Sequence, residues 1–497
     1  MGQACRKRKY QRRRPELSPC YQIVQEELLT FLSEREIEGR PLPPYVIKEF
    51  DAYLKCGILA HGFLRLTCDD CKEEKLVAFS CKKRGFCPSC TGKRMTEGAA
   101  HLVDNILPIV PYRQFVITFP FPMRYWLNTN KALFSATHKI ITDAIQELYI
   151  QILKIPAKHQ PKLGIVSFTQ RFGSALNLNP HLHIIVTDGA HYRPEKPLFR
   201  KIKRLAEKHV SVLLSTITER IIEILKQKGF LDQYGEMVEN PLKDGLFEES
   251  ESIHLATQAS LSGRIAFGPH AGQRVRRLGG GFGYDEEVPF AKGPLCYTQN
   301  GFSIHAARSI NSLNRKGLEQ LITYVARGPF SNDRLTLVEN RQVKVALKRP
   351  FSDGSTHLLM TYSEFMEKLA CLIPPPRSHL VRWSGSFAPS SKYRRKIILN
   401  PGNKKGFNFE NDDKALRNYS WAKLLARVFG VDVLSCPCGG ALSPKGALRD
   451  PLEIGRYLRH VGLEEHPPAR APPRKKVYEL DFTGIGEQED EAVIYLD

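Results

Sequence analysis

No stretch of the 497 residues stays apolar for the roughly 20 residues that crossing a bilayer takes. The opening residues are basic and no apolar core follows them, so the pattern of a secretory leader is missing. Acidic side chains are the scarcer charge. There are 52 Asp and Glu against 73 Lys and Arg, a formal +21, which favours a polyanionic partner over a membrane. No Gly-rich loop ends in the Lys-Ser/Thr pair that grips nucleotide phosphates, and no helicase motif is present, so nucleoside triphosphate hydrolysis is not expected. The twelve cysteines do not read as a secreted disulfide framework. They cluster in C-x-x-C units, which in a reducing compartment serve as metal ligands. The expected setting is the cytoplasm, at the nucleoid through contact with DNA.

The stretch that organises the rest is Asn179-Pro180-His181-Leu182-His183-Ile184-Ile185-Val186. It reads as a buried strand. Side chains alternate along a strand, so His181 and His183 share one face and Leu182, Ile184 and Val186 the other. Two imidazoles about 7 Å apart on one face can hold one divalent ion. Two ligands are too few for a stable site. Gln170, on the preceding strand, and His305, on a strand ahead of a later helix, are the candidates for a third.

Cys68-Asp69-Asp70-Cys71 is followed after fifteen residues by Cys87-Pro88-Ser89-Cys90. Two knuckles at this separation fit one structural zinc site on Cys68, Cys71, Cys87 and Cys90. Cys56, His61 and Cys81 lie nearby, as packing residues of the small core, as members of a second site or as replacements for one of these ligands. Arg84, Lys93 and Arg94 make this segment basic and are candidate DNA contacts. Arg274, Arg276 and Arg277 sit in a Gly-rich loop that either approaches phosphates or is simply solvated surface.

Periodicity predicts helices over 21–36, 131–154, 205–228, 313–327 and 362–372, and strands over 114–119, 163–171, 181–187, 301–305, 335–338, 343–348 and 356–360. The fold class is α+β with a mostly antiparallel sheet. The length suits two to four domains. The expected division is a basic arm (1–20), a helical and zinc-ribbon DNA-binding domain (21–110), a catalytic core (111–373) with an insertion around 230–300, a basic C-terminal region (374–465) and a disordered tail (466–497). A helix at 424–429, with Trp421 and Phe429 beside basic residues, either stacks on bases or buries an apolar face.

Several motifs, in order, carry a resemblance. They are Tyr53-Leu54-Lys55-Cys56-Gly57-Ile58-Leu59-Ala60-His61-Gly62, the two cysteine knuckles and Gln170-Arg171-Phe172-Gly173 before the His-x-His strand. Tyr324-Val325-Ala326-Arg327 and Pro374-Pro375-Pro376-Arg377-Ser378-His379-Leu380 complete the set. With these the chain resembles transposases of the insertion sequence 91 family, in the single-tyrosine branch linked to common-region elements.

The resemblance implies a His-hydrophobic-His endonuclease core behind a zinc domain, and rolling-circle transposition through single-stranded DNA. It singles out Tyr324 as nucleophile; helical spacing then puts Arg327 one turn beyond, placed to neutralise the phosphate or stabilise the phenolate. It also implies a catalytic Mg²⁺ or Mn²⁺ on His181 and His183 as well as the structural Zn²⁺. The implied partners are single-stranded DNA at transposon ends, target DNA, and a host helicase or a second protomer. Three positions depart from the family pattern. Gly328 stands where many relatives carry a second tyrosine. Ser384 stands where relatives often carry histidine. Cys436-Pro437-Cys438-Gly439-Gly440 is one residue short of the relatives' C-P-x-C-G-G, and no metal is assigned there. Two other readings compete: a plasmid replication initiator or relaxase of the same chemistry, and a non-catalytic zinc-ribbon DNA-binding protein.

Overall fold

The computed structural model describes residues 13–238, 250–279, 293–399 and 436–474, with 8–9 and 431–432 as an isolated strand pair. Half of the basic arm (1–7 and 10–12), the helix expected at 424–429 and the chain from 475 lie outside the described residues. No described helix is long and apolar enough to cross a membrane.

A run of three proline-started helices opens the chain: α1 (Pro19–Ile37), α2 (Pro44–Lys55) and, after the hairpin β1 (Phe63–Cys68) and β2 (Glu74–Ala78), α3 (Pro88–His101). Proline suits the first turn, where its missing N–H has no partner to lose. The ribbon expected between the cysteines is real, but the second knuckle, Cys87 to Cys90, opens α3.

The chain then enters its main sheet with β3 (Tyr112–Thr118). Helices α4 (Phe121–Thr129) and α5 (Lys131–Leu153) follow, α5 capped by the Asn130 side chain. The hairpin of β4 (Gly164–Phe172) and β5 (Leu178–Thr187) comes next, then α6 (Glu207–Gln227) and α7 (Glu251–Leu261). Strands β6 (Cys296–Gln299) and β7 (Phe302–His305) precede α8 (Arg315–Val325). The sheet runs β6-β7-β3-β5-β4, and β11 (Val381–Gly385) closes it beside β4, each of these neighbours antiparallel. Residues 381–385 were expected in a separate C-terminal region. They form instead the edge strand of the core.

Alternation on β5 decides the layering. Leu182, Ile184 and Val186 bury against α5 (Ile141, Ile145) and α6 (Leu214, Ile217). Ile185 packs on the opposite face with Val166, Phe168 and the inner residues Leu318, Leu321 and Ile322 of α8. Beneath this a buried ion pair ties the strands: Arg113 donates to both oxygens of Asp188 at 3.0 and 2.9 Å, and the Tyr149 hydroxyl donates to the same carboxylate at 2.7 Å.

A second sheet, β8 (Leu335–Val338), β9 (Gln342–Ala346) and β10 (His357–Thr361), packs with α1, α2 and α9 (Tyr362–Leu372). Thr361 and Glu364 start α9 with a reciprocal capping box. Part of the loop expected around 271–283 is a strand, Arg276–Leu278, added to β10. The chain returns at its far end as β12 (Leu442–Leu448), which pairs antiparallel with β1, and α10 (Pro451–His460), whose Ile454 and Leu458 bury against Leu59 and Phe63. Residues 467–474, expected to be disordered, lie along α1. Arg474 pairs with Glu27 at 2.7 Å and Arg470 with Asp51 at 2.7 Å.

Candidate active site and metal centres

β5 brings His181 and His183 to one face, with ring centroids 5.0 Å apart. The His181 Nδ1 donates to the Asn179 carbonyl at 2.8 Å, which leaves its Nε2 lone pair free when the ring is neutral. The Gln114 amide meets His183 Nδ1 at 2.8 Å. Burial pushes both imidazoles down, His183 to about 3, with the neighbouring His181 and Arg327 adding to the shift. Both are therefore neutral at pH 7, the form that binds metal.

Gln170 stands directly across from His181 in the β4–β5 register. Its Nε2 donates to the Val325 carbonyl at 2.8 Å, at the end of α8. Its Oε1 is buried and has no hydrogen-bond partner. An orphaned amide oxygen beside two neutral histidines is a donor set suited to a hard or borderline divalent cation. His305 is placed differently. It is exposed on β7 and shares Val116 of β3 as cross-strand neighbour with His183, so two strand spacings, about 10 Å, separate the backbones. Among the described residues no three-donor group of His, Cys, Asp or Glu includes the histidine pair.

Tyr324 lies on the last turn of α8 and is 47% exposed, although Leu321, Ile322 and Val325 around it are buried. Its ring packs edge-on to His183 at 6.1 Å. The helix ends at Val325, earlier than periodicity suggested, so Arg327 is beyond it. Its guanidinium still lies over the Tyr324 ring, 4.7 Å from the centroid, and its buried Nε has no partner. Gly328, the place of the absent second tyrosine, is packed shut. A Cβ there would stand 2.8 Å from Thr91 Cβ of α3 and closer still to its hydroxyl.

A cleft lies beside the segment that follows the tyrosine, with Val325 to Pro329 in its wall. Arg84 and Arg94 from the zinc-binding region, Gln170 and Arg171 from β4, Arg327, and Pro374 from the Pro-Pro-Pro segment are among its walls. Four arginines and no acidic residue line it. Arg171 is the most confined, with burial pushing its guanidinium down to about 10 and an Nη1 that has no partner. Arg84 and Arg94 also brace the cleft, donating to the carbonyls of Ser378 and of Lys82 and Lys83. The other expected DNA contacts are elsewhere. Lys93 pairs with Glu97, Arg277 pairs with Asp353 at 2.9 Å, and neither Arg274 nor Arg276 lines the cleft.

The cysteines correct the expected zinc site. Cys68 and Cys71 do not join Cys87 and Cys90. Instead Cys56, Cys81, Cys87 and Cys90 form one group, and Cys68, Cys71, Cys436 and Cys438 another, the sulfurs of each within 4.8 Å of one another. Sulfurs in contact are 3.3 to 3.7 Å apart, close to the edge, about 3.8 Å, of a tetrahedron with zinc–sulfur bonds of about 2.3 Å. Spacing misled here because the fifteen-residue ribbon turns its two ends to different partners. Cys56 and Cys81 were visible as spare thiols nearby. Nothing local tied Cys436 to Cys68, 368 positions away. Gln114 was also missed, its only signal a neutral amide just ahead of the apolar run Phe115-Val116-Ile117.

Comparison with known proteins agrees with this layout. Residues 23–119 match a family model described as "Transposase zinc-binding domain". Residues 164–395, from β4 through β11, match one described as "Putative transposase". These two matches support a transposase of the insertion sequence 91 type. The transposase for insertion sequence element IS801 of Pseudomonas savastanoi pv. phaseolicola is 28% identical over 138 residues, 27% of this chain and 32% of that protein. The match thus spans about a third of this relative's length. No solved structure matches this chain. The family's zinc-binding domain and the two thiol groups together support structural zinc.

Proposed function

We propose that the protein nicks and rejoins single-stranded DNA at the ends of a mobile element, through a covalent 5′-phosphotyrosine on Tyr324, and so drives rolling-circle transposition. The observation that carries this reading is a half-exposed tyrosine in contact with both the His183 ring and the Arg327 guanidinium, with Arg327 itself among four arginines that wall the adjoining cleft.

In the proposed reaction the Tyr324 phenol oxygen attacks the scissile phosphorus. The Oη–P bond forms, the P–O3′ bond breaks, and the proton lost from the phenol is balanced by one gained at the 3′ oxygen. The adduct keeps the phosphodiester energy, so the reverse attack by a 3′-hydroxyl reseals the strand without ATP. Arg327 favours the phenolate as the proton leaves and holds a phosphate oxygen. Arg84, Arg94 and Arg171 draw the strand's phosphates into the cleft.

A divalent ion such as Mg²⁺ or Mn²⁺, held by His181, His183 and the Gln170 oxygen, would supply Lewis acidity at the scissile phosphate. For His183 to ligate through Nε2, its Nδ1 carries the proton and Gln114 presents its amide oxygen. His181 needs no such adjustment, because the Asn179 carbonyl already fixes that tautomer. With Gly328 closed to a side chain, one tyrosine acts twice, or two protomers act in turn. The zinc-binding part positions the strand, a host helicase supplies single strands, and the cell's DNA sets the cytoplasmic location.

The test is a covalent-adduct assay. The protein is mixed with labelled single-stranded oligonucleotides from element ends, with Mn²⁺ or with EDTA, and run on a denaturing gel. A metal-dependent band that maps to Tyr324 by mass spectrometry and vanishes in Tyr324→Phe is the expected result. Tight binding with no adduct on any end sequence would overturn the nuclease reading.

A further inference from the structure

The zinc-binding family match ends at residue 119, yet two sulfurs of the second thiol group come from residues 436 and 438. We propose that Cys68, Cys71, Cys436 and Cys438 bind a second zinc ion, a clasp that fastens the C-terminal segment to the N-terminal ribbon, apart from the ion held by Cys56, Cys81, Cys87 and Cys90.

Three independent features of the backbone converge on this group. First, β12 pairs with β1 so that Leu442 faces Cys68 and Leu448 faces Phe63, which brings the Cys436–Cys438 turn over the Cys68–Cys71 turn. The Asp69 N–H donates to the Ala441 carbonyl at 3.0 Å, and the Ser443 hydroxyl donates to the Asp69 carboxylate at 2.8 Å. Second, the short Cys-Pro-Cys spacing is compensated locally. The Cys436 N–H donates to the Gly440 carbonyl at 2.8 Å, and the Gly440 N–H donates to Cys438 Sγ at 3.4 Å. The turn therefore closes around its sulfurs despite the missing residue. Third, Gly440 is pressed onto the group. A Cβ there would lie 2.7 Å from Cys68 Sγ and against the Asp70 carboxylate, so only glycine lets the turn approach. Four convergent thiols without a disulfide are the donor set of a tetrahedral zinc site.

The two sites differ in exposure. Cys56, Cys87 and Cys90 are buried and Cys81 half-buried, whereas Cys71 and Cys438 face solvent. The clasp zinc is thus the one a chelator reaches first. Its loss frees β12 and α10 without opening the buried site.

Native mass spectrometry of the full zinc-loaded chain tests this. The wild type should carry two zinc ions. The double variant Cys436→Ser/Cys438→Ser should carry one, and so should Cys56→Ser/Cys81→Ser. A brief exposure of the wild type to a chelator should remove one ion well before the other. Limited proteolysis should cut off the C-terminal segment far faster in the Cys436→Ser/Cys438→Ser variant. One ion in the wild type, or two retained in Cys436→Ser/Cys438→Ser, would overturn the proposal. The wild-type count alone decides the first point, whatever the variants do to folding.

Discussion

Adding a single methyl group at position 328 tests how tightly the tyrosine segment is seated on the zinc-binding region. In Gly328→Ala the new carbon would stand 2.8 Å from Thr91 Cβ, where carbon atoms prefer about 3.5–4.0 Å. Roughly 1 Å of movement must be found between α3 and the segment after α8. Overpacking of this kind costs about 1–3 kcal/mol. The three atoms nearest to the added carbon all belong to Thr91, so the cost should disappear in a Thr91→Gly background. Thr91→Gly has its own cost. It removes a hydrogen bond from the Thr91 hydroxyl to the Cys87 carbonyl at 2.8 Å, and glycine inside a helix loses about 1 kcal/mol. The double variant should then be no less stable than Thr91→Gly alone. Urea denaturation of all four proteins, with zinc held constant, gives the coupling energy directly. Strictly additive losses would refute the contact. By the same logic Gly328→Tyr should not create a second nucleophile, and its adduct in the covalent assay should map to Tyr324 alone.

Gln170→Leu removes both the orphaned Oε1 and the donor to Val325. The Mn²⁺-dependent rise in melting temperature should shrink, from a wild-type gain of about 2.7 kcal/mol at a hundredfold excess over Kd, while the zinc count stays unchanged. An undiminished Mn²⁺ shift would remove Gln170 from the ligand set. Asp188→Ala leaves Arg113 charged and buried without its partner, and should cost about 3–5 kcal/mol in denaturation midpoints; a loss below 1 kcal/mol would contradict that. His101, His138 and His191 are each held down to about 4 by burial, against about 6.5 unfolded. Their folded-state values are depressed, so the unfolded chain takes up protons first, and stability present above pH 6.5 is lost as pH falls toward 4. The melting temperature should drop through that window, and His138→Gln should flatten the slope; an unchanged slope would exclude His138 as a source.

The core was legible where one residue pattern had one physical solution. Alternation across Leu182, His183 and Ile184 left only one face for the histidines, and the spacing of Leu318, Leu321, Ile322 and Val325 left Tyr324 on the outward side. The two faces of one strand are a local property, and local properties survive in a sequence. What was not legible depends on long-range pairing. Spacing pointed the thiols at 68 and 71 to Cys87 and Cys90, and only the β1–β12 pairing brings them Cys436 and Cys438 instead. The edge strand Val381–Gly385 does alternate, apolar Val381 and Trp383 with polar Arg382 and Ser384, but it is only five residues long and its partner β4 lies more than 200 positions away, so nothing local tied it to the core. The end of α8 fell two residues short of the periodic pattern, and Arg327 reaches the tyrosine by crossing over its ring instead of stacking one turn below it.

The two thiol groups also set an order of events as the chain emerges from the ribosome. Cys56 and Cys90 are 34 residues apart, so the buried group can assemble once about a fifth of the chain exists. Cys68 and Cys438 are 370 residues apart. The longer loop adds about 2 kcal/mol of closure entropy, and it cannot close until nearly all of the chain has been made. In the interval Cys68, at the end of an open-edged strand, and Cys71, in the turn after it, are bare thiols, which exposes them to oxidation and wrong pairing. A chain truncated before Cys436 lacks the two partners that Cys68 and Cys71 meet in the full fold.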